Sequence, residues 1–300
     1  MLKRFPVLFL LNIFLFSSNV SNGQIDTLNR KRVAALSISL GGAYITSTAA
    51  LYHVWYKQSD QTQFHFFDDS RNWLYMDKAG HTYTNYQTAR LVSDMYKWSG
   101  VNPRTAMWIG TGTGFAFQTT LEMMDGFSSD WGFSWSDVGA NLAGAALFGT
   151  QEMIWNEQRI LPKFSFFPSG FAKYRPEVFG DGFMEQLLKD YNGQNYWLSF
   201  SPGTIIPESS FPKWLCFSVG YGVNEKLVGD EEYYSTNYSG SNYEFHSYRQ
   251  FLISADVDFA KIPCKNKTLA KILKQLNYLK IPFPTVEISR GNLRFNPIYF

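Results

Sequence analysis

The chain has 300 residues, 45% apolar and 18% aromatic, but only 17% charged, against about 25% charged in an average globular protein. This composition excludes a disordered, a collagen-like and a disulfide-stapled chain, and the length fits one large domain or two smaller ones. The formal net charge is +2.

Lys3 and Arg4 precede an apolar run from Phe5 to Phe16, and Ser21 and Gly23 take the −3 and −1 positions before Gln24. This layout predicts a secretory signal peptide over 1–23. Two of the 27 basic residues lie within it, so the exported remainder carries 25 basic and 25 acidic residues. With no basic excess to neutralise phosphates, nucleic acid is not an expected partner. Cys216 and Cys264 are the two cysteines. Export permits a disulfide between them, and their spacing does not require one.

Residues 33–56 contain no Lys, Arg, Asp or Glu. That stretch is long enough to cross a bilayer, but its many Ser, Thr and Gly residues weaken its apolar character. Arg30, Lys31 and Arg32 would also lie on the exported side, against the positive-inside tendency. The expectation is a helix buried in protein. Helices are then predicted over His81–Trp98, Arg104–Met124 and Ser136–Gln158, the last capped by Ser134 or Ser136 with Asp137 in its first turn. Gly110 and Gly114, Ala140 and Gly144, and Ala145 and Gly149 are each four apart, so helix backbones can approach closely.

Past Lys163 the period changes to two. Lys213–Val223 and Tyr248–Phe259 alternate apolar and mostly small or polar residues, as a strand with two unlike faces does. Weaker strands are expected at Phe164–Phe167, Tyr196–Ser201, Thr285–Ser289 and Leu293–Phe300. A Tyr-rich loop or hairpin joins the two strong ones over 229–247. Six strands are fewer than the eight of a small membrane barrel, so a sheet with helices on one face is expected. Residues 267–280 form a basic amphipathic helix, suited either to packing on the sheet or to an anionic membrane surface. The fold class is α+β: a Gly/Ala-rich helical half (31–160) followed by an antiparallel β half (161–300), with membrane association open.

The chemistry-bearing residues of the helical half are Asp77, His81, Glu122, Asp125 and Asp137. Glu122 and Asp125, three apart, share a helix face, as do Asp137 and Asn141, four apart. Charges beside close-packed helices must be paired or hold a cation. The group is therefore read first as a hydrogen-bond network fixing helix register. A divalent metal site is the second reading, although one His is few for zinc. In a third, His81 is the base of a hydrolase and Ser134 or Ser136 the nucleophile, without a G-x-S-x-G elbow. Further binding candidates are Glu152, Arg159, Asp190, Asn192, Gln194 and Trp197; of these Asp190, Asn192 and Gln194 suit hydrogen bonds to a sugar, with Tyr191, Tyr196 or Trp197 as its flat apolar face, and Asn192-Gly193 equally suits a plain turn.

The Asp77-Lys78-x-x-His81 opening, the Glu122-x-x-Asp125 pair and the Gly132-x-Ser134-Trp135-x-Asp137 step resemble the YfiM-like family of envelope proteins, which carries a domain of unknown function. The resemblance covers about 77–150, and the runs 151–159 and 189–194 are similar to those of longer, Bacteroidetes-type members. A fainter likeness extends to VanZ-like membrane proteins. Short family members carry a lipobox Cys, which this chain lacks, so lipid anchoring is not implied. The resemblance implies an exported envelope protein whose partner is a membrane surface or another envelope component. The alternative is a metal-assisted hydrolase acting on lipid or glycan.

Overall fold

A computed structural model describes residues 27–56, 59–206 and 208–300; the expected signal peptide lies outside them. The elements in chain order are helices α1 (Arg30–Leu51), α2 (Met76–Trp98), α3 (Pro103–Asp125) and α4 (Trp135–Trp155), then strand β1 (Ile160–Phe166). Next come short helices α5 (Pro176–Phe179) and α6 (Phe183–Lys189), strand β2 (Gln194–Phe200) and helix α7 (Pro202–Ile205). Strands β3 (Leu215–Asn224), β4 (Tyr233–Tyr238), β5 (Ser241–His246) and β6 (Tyr248–Val257) follow, then α8 (Lys267–Leu276), β7 (Phe283–Ser289) and β8 (Asn292–Tyr299). The fold is α+β, a helical half followed by an antiparallel β half.

The chain divides into two compact units. The first comprises residues up to Ser70, Thr84–Gln158 and Asn266–Gln275. Its helices start where sequence supplies caps: Asn102 accepts from the Arg104 amide ahead of Pro103, and Ser134 accepts from the Asp137 amide. Both bonds satisfy amides that a helix start leaves orphaned. Tyr86 and Ala89 of α2 pack on Met107 of α3 and Phe148 of α4. Leu91 and Met95 meet Leu36 of α1. Gly110 and Gly114 seat α3 against α2: a Cβ on Gly110 would stand 2.3 Å from the Ala89 carbonyl, and one on Gly114 3.0 Å from that of Asn85.

The expectation that 33–56 is a buried helix is corrected. Only Leu36 and Ser47 of α1 are buried, while Ile38 is 77% and Ile45 69% exposed. Its small residues do not form a second packing face: Gly41 and Gly42 have open space around them. Among the described residues α1 is the one helix long and apolar enough to cross a bilayer. Helix α8 has no buried residue, and Lys274 ties it to Asp94 of α2 at 2.8 Å.

The second unit comprises Arg71–Tyr83, Arg159–Lys265 and Leu276–Phe300. Its main sheet has six antiparallel strands in the order β1-β2-β3-β6-β7-β8, and β4 and β5 form a separate hairpin where the Tyr-rich connection was expected. Both thiols are free, Cys216 being buried in β3.

Candidate functional site

Asp77 and His81 open α2, and both belong to the second unit. The chain enters this helix through three consecutive left-handed residues, Trp73, Leu74 and Tyr75, with φ of 51°, 51° and 69°. Each such residue costs roughly 1–2 kcal/mol, so the turn persists only where its surroundings dictate it. The Trp73 amide donates to the Gly229 carbonyl at 2.7 Å, and the Tyr221 hydroxyl donates to the Leu74 carbonyl. Leu74 and Met76 are buried against Val223. The turn aims Asp77 at Tyr191, whose hydroxyl donates to Oδ1 at 3.0 Å. Lys78 Nζ lies 3.1 Å from Oδ2, and His81 Nε2 stands 3.6 Å from Oδ1, one helical turn on. The last distance is an electrostatic contact, too long for a hydrogen bond. Gly80 keeps room for Tyr196, whose hydroxyl oxygen would lie 3.0 Å from a Cβ there.

Glu122, Asp125, Asp137 and Asn141 belong to the first unit. Glu122 is 1% and Asp137 4% exposed. Tyr56 donates to Asp125 Oδ1 at 2.5 Å, and Gln118 Nε2 approaches Asn141 Oδ1 at 3.4 Å. Ser134 and Ser136, the nucleophiles of the hydrolase reading, both donate to Asp69 Oδ1, at 2.5 and 2.9 Å. Ser134 also accepts from the Asp137 amide, so its oxygen serves as a helix cap. Asn85, Gln87, Arg90 and Ser93 of α2, Gln118 of α3 and Gln151 of α4 are buried as well. This unit therefore carries polar groups inside. Outward it presents Trp108 (α3) and Leu142, Met153 and Ile154 (α4), together with the Ile residues of α1.

The sugar-suited residues turn inward. Asp190 is fully buried and accepts from the Ser169 amide at 3.0 Å and from its hydroxyl at 2.9 and 2.7 Å. Burial pushes the Asp190 carboxyl up, and the Ser169 bonds oppose the shift. Asn192 exchanges two bonds with the Lys226 backbone, at 2.8 and 2.7 Å, in the turn that feeds β2. Gln194 Nε2 donates to the Leu187 carbonyl at 3.0 Å, and Trp197 Nε1 donates to Ser165 at 3.0 Å. Glu152 accepts from Lys97 at 2.5 Å and from Gln158 at 3.0 Å in the first unit. Arg159 starts the second unit's main segment.

One polar group escaped sequence reasoning. Lys163 and Asp256, both fully buried, form an ion pair at 2.8 Å between β1 and β6. Lys163 also donates to the Val257 carbonyl at 2.7 Å, and Ser199 donates to Asp256 Oδ2 at 2.6 Å while meeting Ser218 at 2.7 Å. Nearby, Lys280 lies 5.1 Å from the Trp197 ring centre, and burial lowers its ammonium to about 8. The sequence signal is weak: Asp256 stands on the polar face of the Tyr248–Phe259 alternation, and Lys163 just ahead of the weaker strand expected at Phe164–Phe167.

Residues 65–150 match the family described as predicted periplasmic lipoprotein (DUF2279). The match spans the turn, the Asp77–His81 pair, helices α2 and α3, and α4 as far as residue 150. It agrees with an exported protein of the periplasm or envelope. No curated protein and no solved structure matches the chain.

Proposed function

We propose that this is an exported envelope protein held at a membrane, with a structural or interaction role. The Asp77, His81, Glu122, Asp125 and Asp137 side chains serve as hydrogen-bonding and electrostatic anchors that set helix register. The observation that carries the reading is the inverted polarity of the helical unit. Helix α1 exposes an uncharged face of Ile38, Gly41, Gly42 and Ile45, while Arg90, Gln118, Glu122, Asp137 and Asn141 are buried. In water this arrangement exposes apolar side chains and desolvates charge. In hydrocarbon it is the expected one, because ionisable groups there face the bundle interior. Helix α1, at 22 residues, also matches a hydrocarbon core of about 30 Å at 1.5 Å rise per residue. The reading keeps the YfiM-like likeness, which rests on the Asp77–His81, Glu122–Asp125 and Ser134–Asp137 steps. Extraction of envelope membranes with sodium carbonate tests it: the chain stays in the pellet, and release into the soluble fraction overturns it.

A second reading, a divalent cation serving an envelope hydrolase, is favoured by one observation. Asp77 and His81 offer ligand atoms within 4.8 Å of each other on one helical turn. Metal analysis of the purified chain and of His81→Ala and Glu122→Ala variants separates the two. Metal lost on mutation with the fold intact supports the cation. Lowered stability with no metal in the wild type supports the anchors.

A further inference from the structure

The six-stranded sheet is also inverted, and on independent evidence. Ladder register lines up Leu198, Val219, Ile253, Val286 and Phe295 across five strands. A second row is Tyr221, Phe251, Ile288 and Leu293. Together with Phe217, nine apolar side chains of this face (Tyr221 aside) are 36–75% exposed, and no charged residue interrupts either row. The opposite face carries Ser199, Ser218, Ser254 and Thr285 in register, with Lys163, Asp256, Gln250 and Glu287 around them, every one buried.

The polar face is buried because the sheet coils on itself. Trp197 of β2 meets the ring of Tyr299 at the end of β8, with centroids 6.2 Å apart, and Asn195 Nδ2 donates to the Phe300 carbonyl at 3.1 Å. Three strands separate β2 from β8 along the ladder. The segment entering β7 also returns to β1: the Phe164 amide donates to Tyr278 at 3.2 Å, and the Lys280 amide to Phe164 at 2.8 Å. A water-solvated antiparallel sheet buries its apolar face and wets the other. Polar-in and apolar-out alternation around a coiled sheet belongs to strands solvated by lipid.

We propose that the outward face of this sheet lies against the hydrocarbon of a lipid bilayer. These nine side chains adjoin one another across five strands, and contiguous exposed apolar surface of this kind marks a protein or membrane contact. This face also lacks the Arg anchors and polar groups that protein partners use. Aromatic side chains flank it, as they do in membrane barrels: Phe211 stacked on Phe217 at one end, and Tyr221 against Phe251 at the other. From Phe217 to Tyr221 the face extends four residues, or about 13 Å at 3.3 Å per residue, which is the depth of one leaflet. The sheet therefore enters one leaflet rather than spanning the bilayer.

The unmodified chain, reconstituted in phosphatidylcholine–phosphatidylglycerol vesicles containing a diazirine-acyl phosphatidylcholine, tests this. Photolysis and peptide mapping should place lipid adducts on the outward positions of β3, β6 and β8, and none on the β4–β5 hairpin. Adducts confined to helices α1, α3 and α4 overturn the sheet assignment while leaving the membrane-held reading intact. In a Cys264→Ser background, a fluorophore on Cys placed at Val219, Ile253 or Phe295 should be quenched several-fold more by doxyl lipid than by iodide, with the reverse at Ser235. Iodide quenching at all three positions overturns the proposal. So does shielding from both quenchers, which would mark a protein partner or a second copy.

Discussion

Gly110 and Gly112 lie on one helix two residues apart, and the structure predicts opposite outcomes when each becomes alanine. Replacing a mid-helix glycine by alanine gains up to about 1 kcal/mol from reduced backbone entropy. At Gly112 nothing lies within 4 Å of the added methyl, so Gly112→Ala should gain most of that amount. At Gly110 the methyl would stand 2.3 Å from the Ala89 carbonyl oxygen and 2.9 Å from the Ser93 amide. Both are backbone atoms of α2, so no rotamer change relieves the contact and the helices must separate by roughly 1 Å. Overpacking typically costs about 1–3 kcal/mol; against a backbone wall we expect the upper end, leaving Gly110→Ala about 2 kcal/mol less stable than wild type. Thermal unfolding of the purified chain in detergent, followed by circular dichroism, ranks the three proteins. If Gly110→Ala unfolds at or above the temperature of Gly112→Ala, the described approach of α2 and α3 is wrong.

Lys163→Met strands Asp256 without its cation and should lower stability by about 3–5 kcal/mol. The double variant Lys163→Met, Asp256→Leu should recover much of that loss, and denaturant titration reads both. Tyr191→Phe removes the hydroxyl donated to Asp77 and should cost about 1.5–3 kcal/mol, the range for hydrogen bonds to charged groups; protection of the first turn of α2 in hydrogen exchange should fall with it. Lys280, lowered by burial to about 8, should show an acetylation midpoint near that pH. Because its folded value lies below the unfolded one, the unfolded chain binds more protons between about 8 and 10.5. Its contribution should therefore make wild type more stable as pH rises through that window, and Lys280→Met should remove this rise.

The helices were legible because caps and period are local. Ser134, one of the two serines the sequence offers, caps α4, and Gly110 and Gly114 pack as their spacing implies. The start of α2 was not legible: five residues before His81 follow a left-handed turn that neighbours far along the chain impose. Alternation in β3 and β6 revealed two unlike faces, yet a period of two does not say which face meets solvent. That depends on the coiling of the sheet, which Trp197 and Tyr299 fix from distant positions. The exposure of α1 is hidden from the sequence for a related reason. Small and apolar residues suit a packed protein interior and a lipid environment equally, and only the open space around Gly41 and Gly42 tells a packed face from an unpacked one. Lys163 and Asp256 carry no sequence signature as a pair, because an ion pair between separate strands has no fixed spacing.

The left-handed turn at 73–75 also has a bearing on biosynthesis. Its two backbone clasps come from Tyr221 and Gly229, which leave the ribosome about 150 residues later. During translation the body of α2 can assemble with α3 and α4, yet its first turn, with Asp77 and His81, lacks what holds it in place. A nascent chain halted before residue 220 should therefore expose this stretch to protease, and the full-length chain should protect it.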